Sequence, residues 1–157
     1  MQPAVTQTLP PSSVGPSWLF ALIAALAMAG VIVSAVSLQR HYAKSSTQFC
    51  DFSEKFSCDI VNRSEYSSIV GIPVAGIGMA GYGILLLFST AWKSRPETPL
   101  RLLGAACAGL AFALYLTYVE GFVLETWCIL CLISLTLIAL ITILAVAIKM
   151  KSKSGSA

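Results

Sequence analysis

Charge is scarce in this sequence: 11% of its 157 residues are Asp, Glu, Lys or Arg, while 57% are hydrophobic and the mean hydropathy is +0.82. Soluble domains carry roughly 25% charged residues, so a soluble globular domain of this size is excluded. Lysine and arginine are absent from residues 1–16. That excludes the basic start of a cleaved signal peptide, and although Ala27-Met28-Ala29 would pass for a cleavage site, the apolar run continues past it. With Pro3, Pro10, Pro11 and Pro16 set among Ser, Thr and Gln, residues 1–16 read as a disordered tail. Histidine occurs once, as His41, just past an apolar run, and reads as a solvated interfacial residue. No polar segment is long enough for a second domain.

What is present is apolar sequence in membrane-length pieces. A helix of about 20 apolar residues crosses the hydrocarbon core. Four runs qualify: about Trp18 to Leu38, Val74 to Trp92, Leu100 to Val119 and Trp127 to Ile148. The expected fold is an all-α integral membrane protein, a four-transmembrane-helix bundle over residues 17–149, followed by a basic cytoplasmic tail at 150–157. If the spans alternate, the tails and the link Lys93 to Pro99 share one side and hold Lys93, Arg95, Arg101, Lys149, Lys151 and Lys153. The other side holds Arg40, Lys44, Lys55 and Arg63. The basic excess places both termini in the cytoplasm. Cys50, Cys58, Cys128 and Cys131 then lie outside it, where disulfides form and persist.

The outer loop from about Gln39 to Ile72 is the longest polar segment, and it carries Cys50 and Cys58 with seven residues between them. Phe49, Phe52, Phe56 and Ile60 recur at helical spacing, which predicts a short amphipathic helix. Unbroken from Cys50 to Cys58, such a helix would part the two by about 12 Å, beyond disulfide reach. They therefore either pair across a break, as a structural staple, or have other partners. Beyond the loop, Pro73 fits the first turn of a helix. Gly76, Ala80 and Gly83 follow as a small-residue stripe, suited to close helix packing and also to admitting a flat ring.

In the third run Gly104, Ala105, Ala106, Ala108 and Gly109 again suit tight packing, and Cys107 reads as a buried, inert core cysteine. The short turn Glu120 to Thr126 keeps Cys128 near the outer surface. Glu120 and Glu125 read as exposed interfacial carboxylates, with proton supply as the alternative. Trp127 reads as an interfacial anchor or as a ring that stacks on an aromatic ligand. Cys128 and Cys131 open the fourth run as Cys-Ile-Leu-Cys. Three apart on a helix, they lie on one face a turn apart and can close a disulfide with little strain. The helix dipole favours a thiolate at this end, which makes it nucleophilic. Such a pair points to redox chemistry at a membrane surface.

Taken in order, four features resemble the vitamin K epoxide reductase family, in the style of its bacterial homologues, over about Trp18 to Ile148. They are Cys-x7-Cys in a long outer loop, Ser64 six residues after the second cysteine, Gly71-Ile72-Pro73-Val74-x-Gly76-x-Gly78 opening the second run, and Cys-Ile-Leu-Cys opening the fourth. The resemblance implies a bundle that holds a quinone, of ubiquinone or menaquinone type, near the outer membrane surface and passes it electrons from thiols. Carried over by position, Cys131 is the quinone-proximal cysteine and Cys128 its disulfide partner. Cys58 exchanges with Cys128, Cys50 meets a reduced thioredoxin-like protein, and Ser64 is the hydroxyl near the quinone. The quinone site expected from the residues and the resemblance together comprises Ser64, Val74, Gly76, Trp127 and Cys131.

Val74 and Leu135 stand where the vertebrate enzymes have the asparagine and tyrosine that hydrogen-bond the substrate, which tells against epoxide reduction. Many bacterial relatives carry a fused thioredoxin-like domain. This sequence ends at Ala157 after its basic tail, so a separate extracytoplasmic thioredoxin-like partner is expected, with membrane lipid around the bundle and no nucleic acid. The bacterial style and the lack of an ER-retrieval signal imply a bacterial plasma membrane.

Two other readings compete. In the unrelated DsbB-type quinone reductases the Cys-x-x-Cys comes in the first outer loop and the separated pair in the second, the reverse of the order here. A transport or metal-handling membrane protein would use the thiols as soft-metal ligands, four cysteines making a tetrahedral zinc site with His41 as an additional ligand. Placement on the oxidising side is left unexplained by such a site, and no metal ligand is assigned.

Overall fold

The computed structural model describes residues 17–42, 51–53, 56–69 and 71–154. Helix α1 (Ser17–Tyr42) leads into a small cap. The cap consists of an antiparallel hairpin of β1 (Asp51–Ser53) and β2 (Phe56–Ser57), a short helix α2 (Cys58–Arg63), a 3-10 turn (Glu65–Ser67), and a second hairpin of β3 (Ser68–Ile69) and β4 (Ile72–Pro73). Helices α3 (Val74–Thr90), α4 (Thr98–Phe122) and α5 (Ile129–Ser154) complete the chain.

Helices α1, α4 and α5 are long and apolar enough to cross a membrane, and α3, with 17 residues, is a shorter apolar helix. The four pack as a bundle, α1 against α3 and α5, and α4 against α5 and α3. Phe20 and Ile23 of α1, Leu85 of α3, Leu102 of α4 and Ile141 and Ile148 of α5 meet in one buried core. Outward-facing residues are apolar as well, among them Leu22, Ile32, Leu87, Tyr115 and Ile143. Helices apolar on all sides suit a lipid surround. The chain is an integral membrane protein.

Three findings correct the sequence expectations. In the cap, Asp51–Ser53 and Phe56–Ser57 are strands and not parts of a helix. Asp51 pairs with Ser57 and Ser53 with Phe56 across the first hairpin. The helix begins only at Cys58, where the Ser57 hydroxyl accepts the Ile60 N–H at 3.3 Å and caps it. A local cap therefore overrides the helical spacing of Phe52, Phe56 and Ile60; Phe49 and Cys50 lie outside the described residues. The second hairpin turns at Gly71, whose φ of 80° suits glycine.

Cys107, expected in the core, is exposed on the outer face of α4, because its neighbour Ala106 takes the inward position. The stripe Gly76, Ala80, Gly83 is not where helices approach most closely. A Cβ added at Gly83 would meet nothing within 4 Å, and one at Gly76 only Pro73 at 3.8 Å. The close approach of α1 and α3 lies at Gly30, where an added Cβ would stand 2.4 Å from the Tyr82 ring, and at Gly78, where it would stand 3.1 Å from the Ser34 Oγ. The stripe marks a small face, but nothing in its spacing says which face meets a partner.

Gly30→Ala is accordingly expected to destabilise the protein by about 1–3 kcal/mol through overpacking against Tyr82. Gly83→Ala should stay within about 0.5 kcal/mol of the wild type, as is usual where no close contact is disturbed. Thermal unfolding of both variants in the same detergent checks this, and equal midpoints would contradict the packing assigned to Tyr82.

Candidate active site

The site is built where α4 ends and α5 begins. The N–H groups of Val123 and Leu124 both bond back to the Val119 carbonyl at 3.0 Å, and the Thr126 N–H bonds the Glu120 carbonyl at 3.1 Å. Glu125, exposed and at a φ of 48°, supplies the left-handed step of the reversal. This folds the connection back over the last turn of α4 and sets Cys128 above Glu120. The Cys128 carbonyl accepts the Leu132 N–H at 3.1 Å, the first bond of α5. Its own N–H, free of any intrahelical acceptor at this position, donates to Glu120 Oε2 at 3.2 Å.

Glu120, expected as an exposed carboxylate in a link, is thus a buried residue of α4, 2% exposed. Its other oxygen, Oε1, is buried without a hydrogen-bond partner among the described residues. One carboxylate oxygen, the Cys128 sulfur and the Cys131 sulfur all lie within 4.8 Å of one another. Both cysteines carry free thiols. The Cys131 thiol thus faces both the Cys128 sulfur and the Glu120 carboxylate. That contact from Cys131 is the chief cause that pulls the Cys128 thiol below the ordinary cysteine range, against burial and the Glu120 charge, which push it up.

Cys58 is disulfide-bonded and fully buried. With Val61 and Cys128 it forms one buried cluster, against which Leu124, Leu130 and Cys131 pack. The first residue of α2 therefore sits on the thiol that opens α5. Cys50, expected to meet the redox partner, lies outside the described residues.

Beside this cluster the bundle forms an open-sided cavity of about 420 Å³. Its wall is mainly apolar, drawn from Val33, Leu85, Phe112, Leu116 and Ile138, and its cap end is polar. Ser64, Val74 and Cys131, three of the five residues expected at a quinone, line it, whereas Gly76 and Trp127 are not among its lining. The Ser64 hydroxyl donates to the Val61 carbonyl at 2.8 Å, closing α2. The Trp127 ring lies against Gly121, 3.2 Å from where a Cβ there would stand. Leu135 does not line the cavity, but its neighbour Ser134 does. The Tyr82 hydroxyl, reaching across from α3, donates to the Ser134 carbonyl at 2.8 Å and lies 2.9 Å from its hydroxyl.

Sequence reasoning missed Tyr82, Ser134, Ser37 and Asn62 as wall residues, and it read His41 as solvated. His41 is in the last turn of α1, on the cavity wall, with Nδ1 bonded to the Asn62 carbonyl. No motif announces these residues; Ser37, His41 and Asn62 meet because α2 folds over the end of α1, and Tyr82 and Ser134 because Tyr82 of α3 reaches across to α5. The four-cysteine zinc arrangement is not assembled either. Cys58 is in a disulfide, and the group of possible metal ligands found among the described residues is Glu120, Cys128 and Cys131, without His41.

Membrane-length helices that hold two neighbouring free thiols, one of them on the wall of an apolar cavity with a buried carboxylate, define a class, the integral membrane proteins of thiol redox chemistry. The sequence profile of the vitamin K epoxide reductase family matches residues 21–146, most of the chain, and the chain belongs to that family. It is an oxidoreductase, a membrane redox enzyme of the quinone or epoxide reductase kind, and enzymes of this family use quinones.

Proposed function

We propose that this protein is a quinone reductase that oxidises a separate thioredoxin-like protein outside the cytoplasm through two cysteine pairs, and so supports disulfide formation there. The observation that carries the reading is the chain of contacts from Cys58 to Cys128 to Cys131, ending on the wall of the cavity. The cavity fits a quinone head group: it is apolar along most of its wall, and two buried polar atoms beside it, Asn62 Nδ2 and Glu120 Oε1, have no partner among the described residues. A menaquinone- or ubiquinone-type molecule bound there supplies an acceptor for two electrons and two protons.

The relay runs by thiolate attack through mixed disulfides. The partner's dithiol first reduces the outer pair, Cys50 and Cys58. The Cys58 thiolate then attacks Cys128 of a Cys128–Cys131 disulfide, and Cys131 leaves as a thiolate that takes up a proton from Glu120. Cys50 next attacks Cys58, which releases Cys128 and closes the outer disulfide. In the structure Cys58 is disulfide-bonded while Cys128 and Cys131 are both thiols, which is the state this exchange would leave. In the last step Glu120 accepts the Cys131 proton, the two inner thiols close their disulfide, and their two electrons and two protons pass to the quinone. The net reaction is partner dithiol plus quinone to partner disulfide plus quinol. A gap of about 30 mV between successive couples is worth about 1.4 kcal/mol, enough to bias each step.

The topology that goes with this reading has four spans and both termini in the cytoplasm. Helix α3 is the short member: 17 residues rise about 25 Å against a hydrocarbon core of about 30 Å.

The test is quinone reduction by the purified full chain, followed by quinone absorbance, with a reduced thioredoxin-like protein or a small dithiol as donor. Cys50→Ala and Cys58→Ala are expected to lose turnover with the protein donor by about 100-fold or more, while the small dithiol still serves at a rate within about twofold. Absence of quinone reduction by the wild type with either donor sinks the reading.

A further inference from the structure

Asn62 takes no part in the thiol relay, yet it is among the most constrained residues of the cap. It is 7% exposed and stands on the cavity wall with Cys131. Its Oδ1 accepts the Ser37 hydroxyl at 2.7 Å, and its backbone carbonyl is bonded by His41, so α1 holds the residue at two points. The remaining polar atom, Nδ2, is the buried side-chain donor left without a partner among the described residues. A dry amide donor is unfavourable, and native proteins retain one where a ligand or water completes it.

Three hydroxyls on the wall are committed elsewhere. The Ser64 hydroxyl is used on the Val61 carbonyl, the Ser67 hydroxyl on the Ser64 carbonyl, and the Tyr82 hydroxyl on Ser134. Val74 offers no side-chain donor. A quinone presents two carbonyl oxygens that only accept, in a ring that is otherwise apolar, which complements an apolar wall with one fixed N–H donor.

We propose that the Asn62 side-chain amide donates a hydrogen bond to a carbonyl oxygen of the quinone, so that α2, and not the start of α3, supplies the polar contact that sets quinone affinity. This rests on the quinone reading above. Cys58 and Asn62 are four apart on α2 and share a face. The same short helix then carries the relay cysteine and the quinone donor, which fixes the acceptor in register with the thiols.

The experiment uses the purified full chain and a 1,4-naphthoquinone labelled with 13C at its carbonyls. In the wild type the infrared stretch of one bound carbonyl is expected to lie below that of the free quinone. In Asn62→Leu, of similar size and without a donor, the stretch returns toward the free value. Its quinone Kd, read by tryptophan fluorescence quenching, rises about tenfold, the loss usual for one hydrogen bond. If Asn62→Leu fails to fold, Asn62→Ala serves, since it removes the amide donor without adding bulk. A variant that binds with unchanged Kd and an unchanged lowered stretch overturns the assignment of Asn62 and leaves the quinone reading standing. A wild type that binds no quinone overturns both.

Discussion

Cys131→Ala should abolish quinone reduction with every thiol donor, protein or small molecule, a loss on the order of 10³-fold or more. The outer cysteines are replaceable by a small dithiol, but Cys131 is not, because it is the thiol on the cavity wall and no other described cysteine lines it. Cys128 packs behind it against Cys58, fully buried, and cannot take over. A second readout separates chemistry from misfolding. In the wild type the Cys131 thiol hydrogen-bonds the Cys128 sulfur and so favours its thiolate. Without that donor, burial and the Glu120 charge still oppose ionisation, offset only by the backbone N–H groups of Leu130 and Cys131. The midpoint of Cys128 alkylation against pH should therefore move upward in Cys131→Ala, toward or above the ordinary cysteine value of about 8.5. Cys107→Ala, on the outer face of α4, should leave turnover unchanged. Quinone turnover that persists without Cys131 would remove this thiol from the reaction.

Glu120→Gln is the second large effect. General acid–base catalysis by a positioned side chain contributes about 10²–10⁴-fold, and the lower part of that range is expected here because solvent-borne proton transfer remains as a slower route. The side-chain carbonyl of glutamine still accepts the Cys128 N–H, so the fold of the α4–α5 connection is retained while the proton acceptor is lost. The sign of the pH dependence follows from the role. Glu120 must be a carboxylate to take the Cys131 proton, so the wild-type kcat/KM for quinone falls as pH drops through the carboxyl titration and rises to a plateau above it. In Glu120→Gln that acid limb disappears and the residual rate is lower at the plateau. A structural role would lower the rate and leave the profile in place, and an unaltered acid limb in the variant would therefore exclude Glu120 from proton transfer.

Much of the fold was legible because membrane helices are specified by short-range composition. The runs at Trp18, Val74, Leu100 and Trp127 each correspond to a helix of the bundle, with ends displaced by a few residues. One such displacement matters. The third helix continues to Phe122 and takes Glu120 with it, because its carboxylate has a partner in the Cys128 N–H that no local rule reveals. The cap was misread for a similar reason. Phe52, Phe56 and Ile60 have helical spacing, but the Ser57 cap and the hairpin pairing of Asp51 with Ser57 decide the backbone there.

The sequence by itself determined that the chain is a membrane protein, where its helices lie, that Cys128 and Cys131 open the last of them, and that the family is that of the vitamin K epoxide reductases. Hydropathy, spacing and motif order are local, so these follow from residues close together in the chain. Only the tertiary structure decided which faces point inward. Helices apolar all round carry no moment to orient them, so the burial of Ala106 beside the exposed Cys107, and the choice of Gly30 over Gly83 as the contact for its neighbour, come from the packing of four helices at once. That packing also folds α2 over the end of α1 and turns α5 back over Glu120. The result is one cavity walled by a thiol, a carboxylate and an amide from three separate segments.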